Sequence, residues 1–212
     1  MMYDMLVMIS IVFFVVVRRS AMKNIITGQI LLILCCAVYL VWWYRGFRPG
    51  IYVSRAGGVN GILLLITAAL GFAGIVFSLM PAEETREPLI SQGKIVICGI
   101  AAYIVLMLVT KLIFNRIVTT ELFLIVGWTI LETVVTDRLY AIGSISGNGF
   151  TATAIIIAAA FLIGIVLYVA YYRMEEMKAF YAAMVPLIVD AIAMAAIIGI
   201  ARYHYLGGRL PT

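Results

Sequence analysis

The sequence predicts an all-α, polytopic bundle of about seven membrane-spanning helices with no soluble domain, and three observations lead there. Of 212 residues, 65% are hydrophobic and 12% charged, against about 45–50% and about 25% in soluble domains. The apolar residues fall in blocks of about twenty between short charged stretches, the length that crosses a hydrocarbon core about 30 Å thick. A membrane β-barrel would instead show segments of about ten residues with alternating polarity, and the apolar run 152–170 has no alternation. These features exclude a water-soluble globule, which needs more polar surface than this chain carries.

The first predicted span covers residues 2–17 and is closed by Arg18, Arg19 and Lys23; no basic residues precede it, so it lacks the head of a cleaved signal peptide and is expected to remain. The second covers 24–44, and a basic loop with Gly46, Pro49, Gly50, Gly57 and Gly58 follows as helix-breaking punctuation. The third is 59–80, followed by an acidic loop with Glu83, Glu84, Glu87 and Pro88. The fourth is 95–114, with Lys111 near enough to its end to snorkel. The fifth, sixth and seventh are 117–142, 151–172 and 179–202, and 203–212 form a short tail. Connections this short make residues 1–212 one integral membrane domain. The first hairpin, turning at 18–23, loosely resembles the last, turning at 173–178, as the halves of an inverted repeat would.

The net charge of +5 comes from Lys and Arg spread over the loops, which suits phospholipid headgroups and not nucleic acid. Counted by side, eight Lys and Arg stand against seven. Arg18, Arg19 and Lys23 at the first hairpin favour a cytoplasmic turn there, with the N-terminus outside, the C-terminus inside, and the cell membrane as the location. Cys35, Cys36 and Cys98 lie in apolar runs without matching His or acidic clusters and are packing residues. His204 is the only histidine, which excludes multi-His metal or haem sites. No metal site or cofactor is expected.

Ionisable groups deep in a membrane are disfavoured by about 2.5–3.5 kcal/mol on insertion scales and need a partner, a proton or a water-filled cavity. Asp190 stands near the middle of the seventh span and Glu132 near the middle of the fifth, with Glu121 one turn into the latter. Glu121 and Glu132 are eleven residues apart, about 20° in azimuth, so they share a face with Trp128 and Thr136. This stripe is expected to face protein or water and to bind a cation or exchange a proton. The alternative is that the acids hold helices together, neutral or paired with Lys111 or Arg138. Pro186, four residues before Asp190, is expected to kink the seventh helix. Asp137 and Arg138 are expected to form an ion pair or anchor near the membrane face.

A second candidate is the basic loop, where Arg45, Arg48 and Arg55 beside Trp42, Trp43, Tyr44 and Tyr52 could grip an anionic headgroup or phosphate. The simpler account is an aromatic belt with anchoring arginines. No motif names a substrate or reaction. The leading expectation is a small transporter or channel component for a solute or ion, not an enzyme, partnered by the lipid bilayer. A membrane-embedded enzyme on a lipid or lipid-linked phosphate is the alternative. A non-catalytic subunit or receptor of a larger complex is the third class.

Overall fold

The computed structural model describes residues 2–50, 58–81, 86–114, 120–171 and 173–207; the side chains of 2–19, 114, 120–121 and 205–207 lie outside that description. The helices are α1 (Met2–Phe47), α2 (Gly58–Leu79), α3 (Gln92–Phe114), α4 (Thr120–Ala141), α5 (Gly147–Tyr171), the short α6 (Glu176–Ala182) and α7 (Val185–Gly207). Among the described residues no strand occurs. Ala21, Met22 and Ile25 of α1, the end of α2, the end of α4, the start of α5 and the end of α7 lie at one end of the bundle.

Among the described residues, five helical stretches are long and apolar enough to cross a membrane: Ser20–Phe47, Gly58–Leu79, Gln92–Ile113, Gly147–Tyr171 and Glu176–His204. Burial supports the same environment. In α2 the buried residues are Asn60, Thr67, Gly74 and Ser78, while Leu65 and Phe72 are each 72% exposed. Small and polar groups turn inward and large apolar ones outward, the arrangement that lipid favours and water does not. The chain is a multi-pass integral membrane protein.

Two elements differ from the sequence expectation. The turn expected at residues 18–23 is helical, so the first two predicted spans form one helix of 46 residues, about 69 Å long at 1.5 Å per residue. The segment Arg18-Arg19-Ser20-Ala21-Met22-Lys23 contains no glycine or proline, and Arg, Ala, Met and Lys all favour helix. A charged stretch between apolar blocks is therefore no break by itself. The likeness between first and last hairpins loses its basis, because the first is one continuous helix while the last breaks its helix at residues 173–175. The orientation argument drawn from that first turn loses its basis as well. Second, the predicted seventh span is divided at residues 183–184 into α6 and α7, immediately before Pro186, which lies in the first turn of α7, where its missing N–H leaves no helical bond unmade.

α4 is absent from the apolar crossing stretches because Glu132, Asp137 and Arg138 interrupt it. It packs against α2, α3, α5 and α7. Its enclosure explains its composition: neighbouring helices shield charges that lipid would disfavour. Val135 and Leu139 of its last turns and Ile142 just beyond it join Ala21, Met22 and Ile25 of α1 and Ile197 and Ala201 of α7 in the main core cluster.

The end of α4 is closed by backbone geometry. Gly143 adopts φ 69°; its N–H donates to Tyr140 O at 2.8 Å and that of Ser144 to Leu139 O at 2.8 Å, the paired bonds of a Schellman motif, which favours glycine at the left-handed position. Ser146 then caps α5, its Oγ accepting from the Gly149 N–H at 3.2 Å. This tight turn fixes α5 against α4.

Candidate functional site

Glu132 is 0% exposed and meets one residue through a hydrogen bond: Gln29 Nε2 of α1 donates to Glu132 Oε1 at 3.0 Å. Gln29 is itself 1% exposed. Four buried polar atoms around this contact have no hydrogen-bond partner among the described residues: Glu132 Oε2, Gln29 Oε1, Thr136 Oγ1 and the Trp128 indole nitrogen. Thr136 lies one turn beyond Glu132 and Trp128 one turn before it, so all project from the same side of α4. Thr129 and Thr133 instead turn their hydroxyls back onto Ile125 O and Thr129 O. They contribute nothing polar to this site.

Asp190 approaches from α7. It is half-buried and shares a helix face with Leu187 and Met194, which pack with Ala191 against Leu32 and Cys36 of α1 and against Trp128 of α4. Its carboxyl is within electrostatic range of Glu132, and both acids are within range of Cys36. Gln29 and Cys36 are two turns apart on α1, about 10.5 Å. Glu132 thus lies beside Gln29, while the helix-face neighbours of Asp190 pack farther along α1, at Leu32 and Cys36. Glu121 stands in the first turn of α4, and its side chain lies outside the described residues.

Gln29 is a site residue that sequence reasoning missed. Its signal was a lone amide inside the apolar run 24–44, but its partner is 103 positions away, beyond any local spacing rule. Lys111, a suggested partner of the acids, is exposed.

Asp137 and Arg138 are buried, at 0% and 7% exposure, and not at an open membrane face. Asp137 Oδ1 accepts the backbone N–H of Ile90 at 3.1 Å. Arg138 Nη1 donates to Ser78 O at 3.0 Å and its Nη2 to Met80 O. The Arg86 N–H bonds Ala141 O at 3.0 Å, and the Arg86 guanidinium lies over the Tyr140 ring at 5.4 Å. These contacts draw the segment after α2 across the end of α4, on the side toward which Thr136 points from Glu132.

The basic loop is occupied differently. Arg45 Nε donates to Asn60 Oδ1 at 3.2 Å. Arg48 Nη1 donates to the Tyr44 hydroxyl at 2.7 Å and its guanidinium lies over that ring. Trp43 stacks on Phe47 with centroids 4.2 Å apart and donates its indole N–H to Phe180 O at 3.4 Å. Arg45 and Trp43 thus tie α1 to α2 and α6, Arg48 packs back onto Tyr44 of α1 itself, and Arg55 lies outside the described residues.

At the opposite end, a cleft of about 430 Å³ between α5 and α7 is lined by Gly149, Ala152, Gly199 and His204, among others. Its wall is mostly apolar, with Asn148, Tyr203 and His204 as its polar side chains. Among the described residues no three His, Cys, Asp or Glu side chains gather as a metal-holding group. No family model, no curated protein and no solved structure matches this chain.

Proposed function

We propose that this protein is a small multi-pass transporter or channel component, in which Glu132 and Asp190 bind a cation or proton on a polar path through the bundle. The observation that carries the reading is Glu132: a carboxyl sealed from solvent, with one oxygen held by Gln29 and the other without a partner among the described residues. A group of this kind inside a membrane is disfavoured unless a proton, ion or water completes it. Asp190, half-buried on α7, gives the occupant a second acidic stop. Gln29, Trp128 and Thr136 supply polar atoms along the same seam between α1, α4 and α7. Two of the arginines that a lipid-phosphate enzyme would use, Arg45 and Arg48, bond Asn60 and Tyr44, which favours transport over that alternative.

The test is charge displacement in reconstituted vesicles on a solid-supported membrane after jumps in pH, Na⁺ or K⁺. The wild-type chain is expected to give a transient current with at least one of these ions. Glu132→Gln and Asp190→Asn are each expected to reduce it by about tenfold or more, the effect of losing about 1.4 kcal/mol of stabilisation along the path. Wild-type currents in both variants would overturn the reading.

A further inference from the structure

We propose that the ligand at Glu132 is a proton and not a metal cation, and that Gln29 is the residue that holds it there, by closing an acid–amide ring. This inference rests on the transport reading for its purpose, but its geometry stands without it. The carboxyl of Glu132 and the amide of Gln29 are two planar groups joined along one edge by Nε2–H···Oε1 at 3.0 Å. The atom left over on each, Glu132 Oε2 and Gln29 Oε1, is an oxygen acceptor, and neither has a hydrogen-bond donor among the described residues. Both residues are at least 99% buried.

An ionised carboxylate is acceptor-only and cannot satisfy the amide oxygen, whereas a protonated carboxyl carries one O–H donor. A single proton on Oε2 therefore gives both leftover atoms a partner. Oε2 gains an O–H bond, that hydrogen bonds Gln29 Oε1, and Nε2–H continues to bond Oε1 of Glu132. The step moves one proton and no electrons, and reversal returns the proton to water.

A metal cation fits this donor set poorly. Calcium takes about six to eight oxygen ligands and magnesium about six in a strict octahedron. The free oxygens here are Glu132 Oε2, Gln29 Oε1 and Thr136 Oγ1, while the unpartnered Trp128 nitrogen carries an N–H, a donor only and no metal ligand. α4 keeps its helical hydrogen bonding through residues 120–141, so it offers no unwound carbonyls of the kind that coordinate ions in broken helices.

The charged and titratable neighbours are few. Cys36 of α1 and Asp190 of α7 are within electrostatic range. α2 carries no titratable side chain, and Lys94, Cys98 and Lys111 of α3 are exposed. Tyr103 of α3 and Tyr168 of α5 pack around Leu122 and Val126, farther along α4. Within α4, Asp137 and Arg138 direct their side chains to Ile90, Ser78 and Met80.

The test is infrared difference spectroscopy on the full chain in vesicles, titrated across pH with and without Na⁺, K⁺ and Ca²⁺. The expected result is a protonated-carboxyl C=O band that shifts in D₂O, shifts again when glutamate is labelled with ¹³C, and disappears in Glu132→Gln. Gln29→Leu is expected to displace the band. Isotope labelling of the wild-type chain assigns the band to glutamate even where a variant fails to fold. Absence of any protonated glutamate band, its persistence in folded Glu132→Gln, or its loss on adding metal cations at constant pH would each overturn the inference. A glutamate band without charge displacement would leave the proton site standing and remove the transport reading. Na⁺-driven currents with loss of the band would do the reverse.

Discussion

Arg138 donates through Nη1 to the carbonyl oxygen of Ser78 at 3.0 Å, so a cation on α4 serves the C-terminal end of α2. The last carbonyls of a helix lack intrahelical donors and carry its negative dipole end, and Arg138 meets both needs through Ser78 and Met80. Arg138→Ala is expected to destabilise the protein by about 1.5–3 kcal/mol for a lost charged hydrogen bond. Arg138→Lys is expected to recover only part, because an ammonium lacks the planar fork that reaches two carbonyls. Thermal unfolding in detergent checks both; an unchanged midpoint in Arg138→Ala would contradict the role.

Asp137 holds the segment after α2 through the Ile90 N–H at 3.1 Å. Asp137→Asn keeps an acceptor oxygen and is expected to keep that contact. Asp137→Ala removes it and is expected to speed amide exchange at Ile90 and proteolysis within 86–91, a loss of about 1–3 kcal/mol. Equal exchange in both variants would show that Arg86 and Arg138 hold the segment without Asp137.

The close approach of α1 and α2 depends on Gly28. A Cβ there would meet the backbone and hydroxyl of Ser78 and come within 2.7 Å of Gly74 O. At Gly74 it would chiefly meet the Leu32 side chain, which can rotate aside. Gly28→Ala is therefore expected to cost about 1–3 kcal/mol through overpacking, and Gly74→Ala less. Comparison of the two midpoints in detergent checks the order, and a milder effect at Gly28 would contradict the packing account.

The different exposure of the two acids predicts an order of reactivity. Asp190 is half-buried and Glu132 is 0% exposed. Dicyclohexylcarbodiimide, an apolar reagent for protonated carboxyls, is expected to modify Asp190 before Glu132. Peptide mapping by mass spectrometry reads the order, and first labelling of Glu132 would contradict the enclosure.

Much of the helical plan was legible because lipid-crossing length and apolar composition are local properties. The places where it was not legible are those decided by contacts between distant segments. Residues 18–23 read as a turn because they are charged, yet nothing in them breaks a helix. Asp137 and Arg138 read as surface anchors because they lie at a span end, yet the segment after α2 folds over them. Glu132 and Asp190 stood out because charge is rare in such a chain. Gln29 did not, since an uncharged amide carries less penalty and its role exists only once α1 meets α4.

The most direct measurement of the central claim is proton entry into vesicles holding the full chain, under a potassium diffusion potential clamped with valinomycin and read by an entrapped pH dye. The account predicts faster acidification than in protein-free vesicles for the wild-type chain. It predicts a fall to the protein-free rate for Glu132→Gln in vesicles where the variant is shown to be folded. Wild-type acidification by that variant would contradict the account.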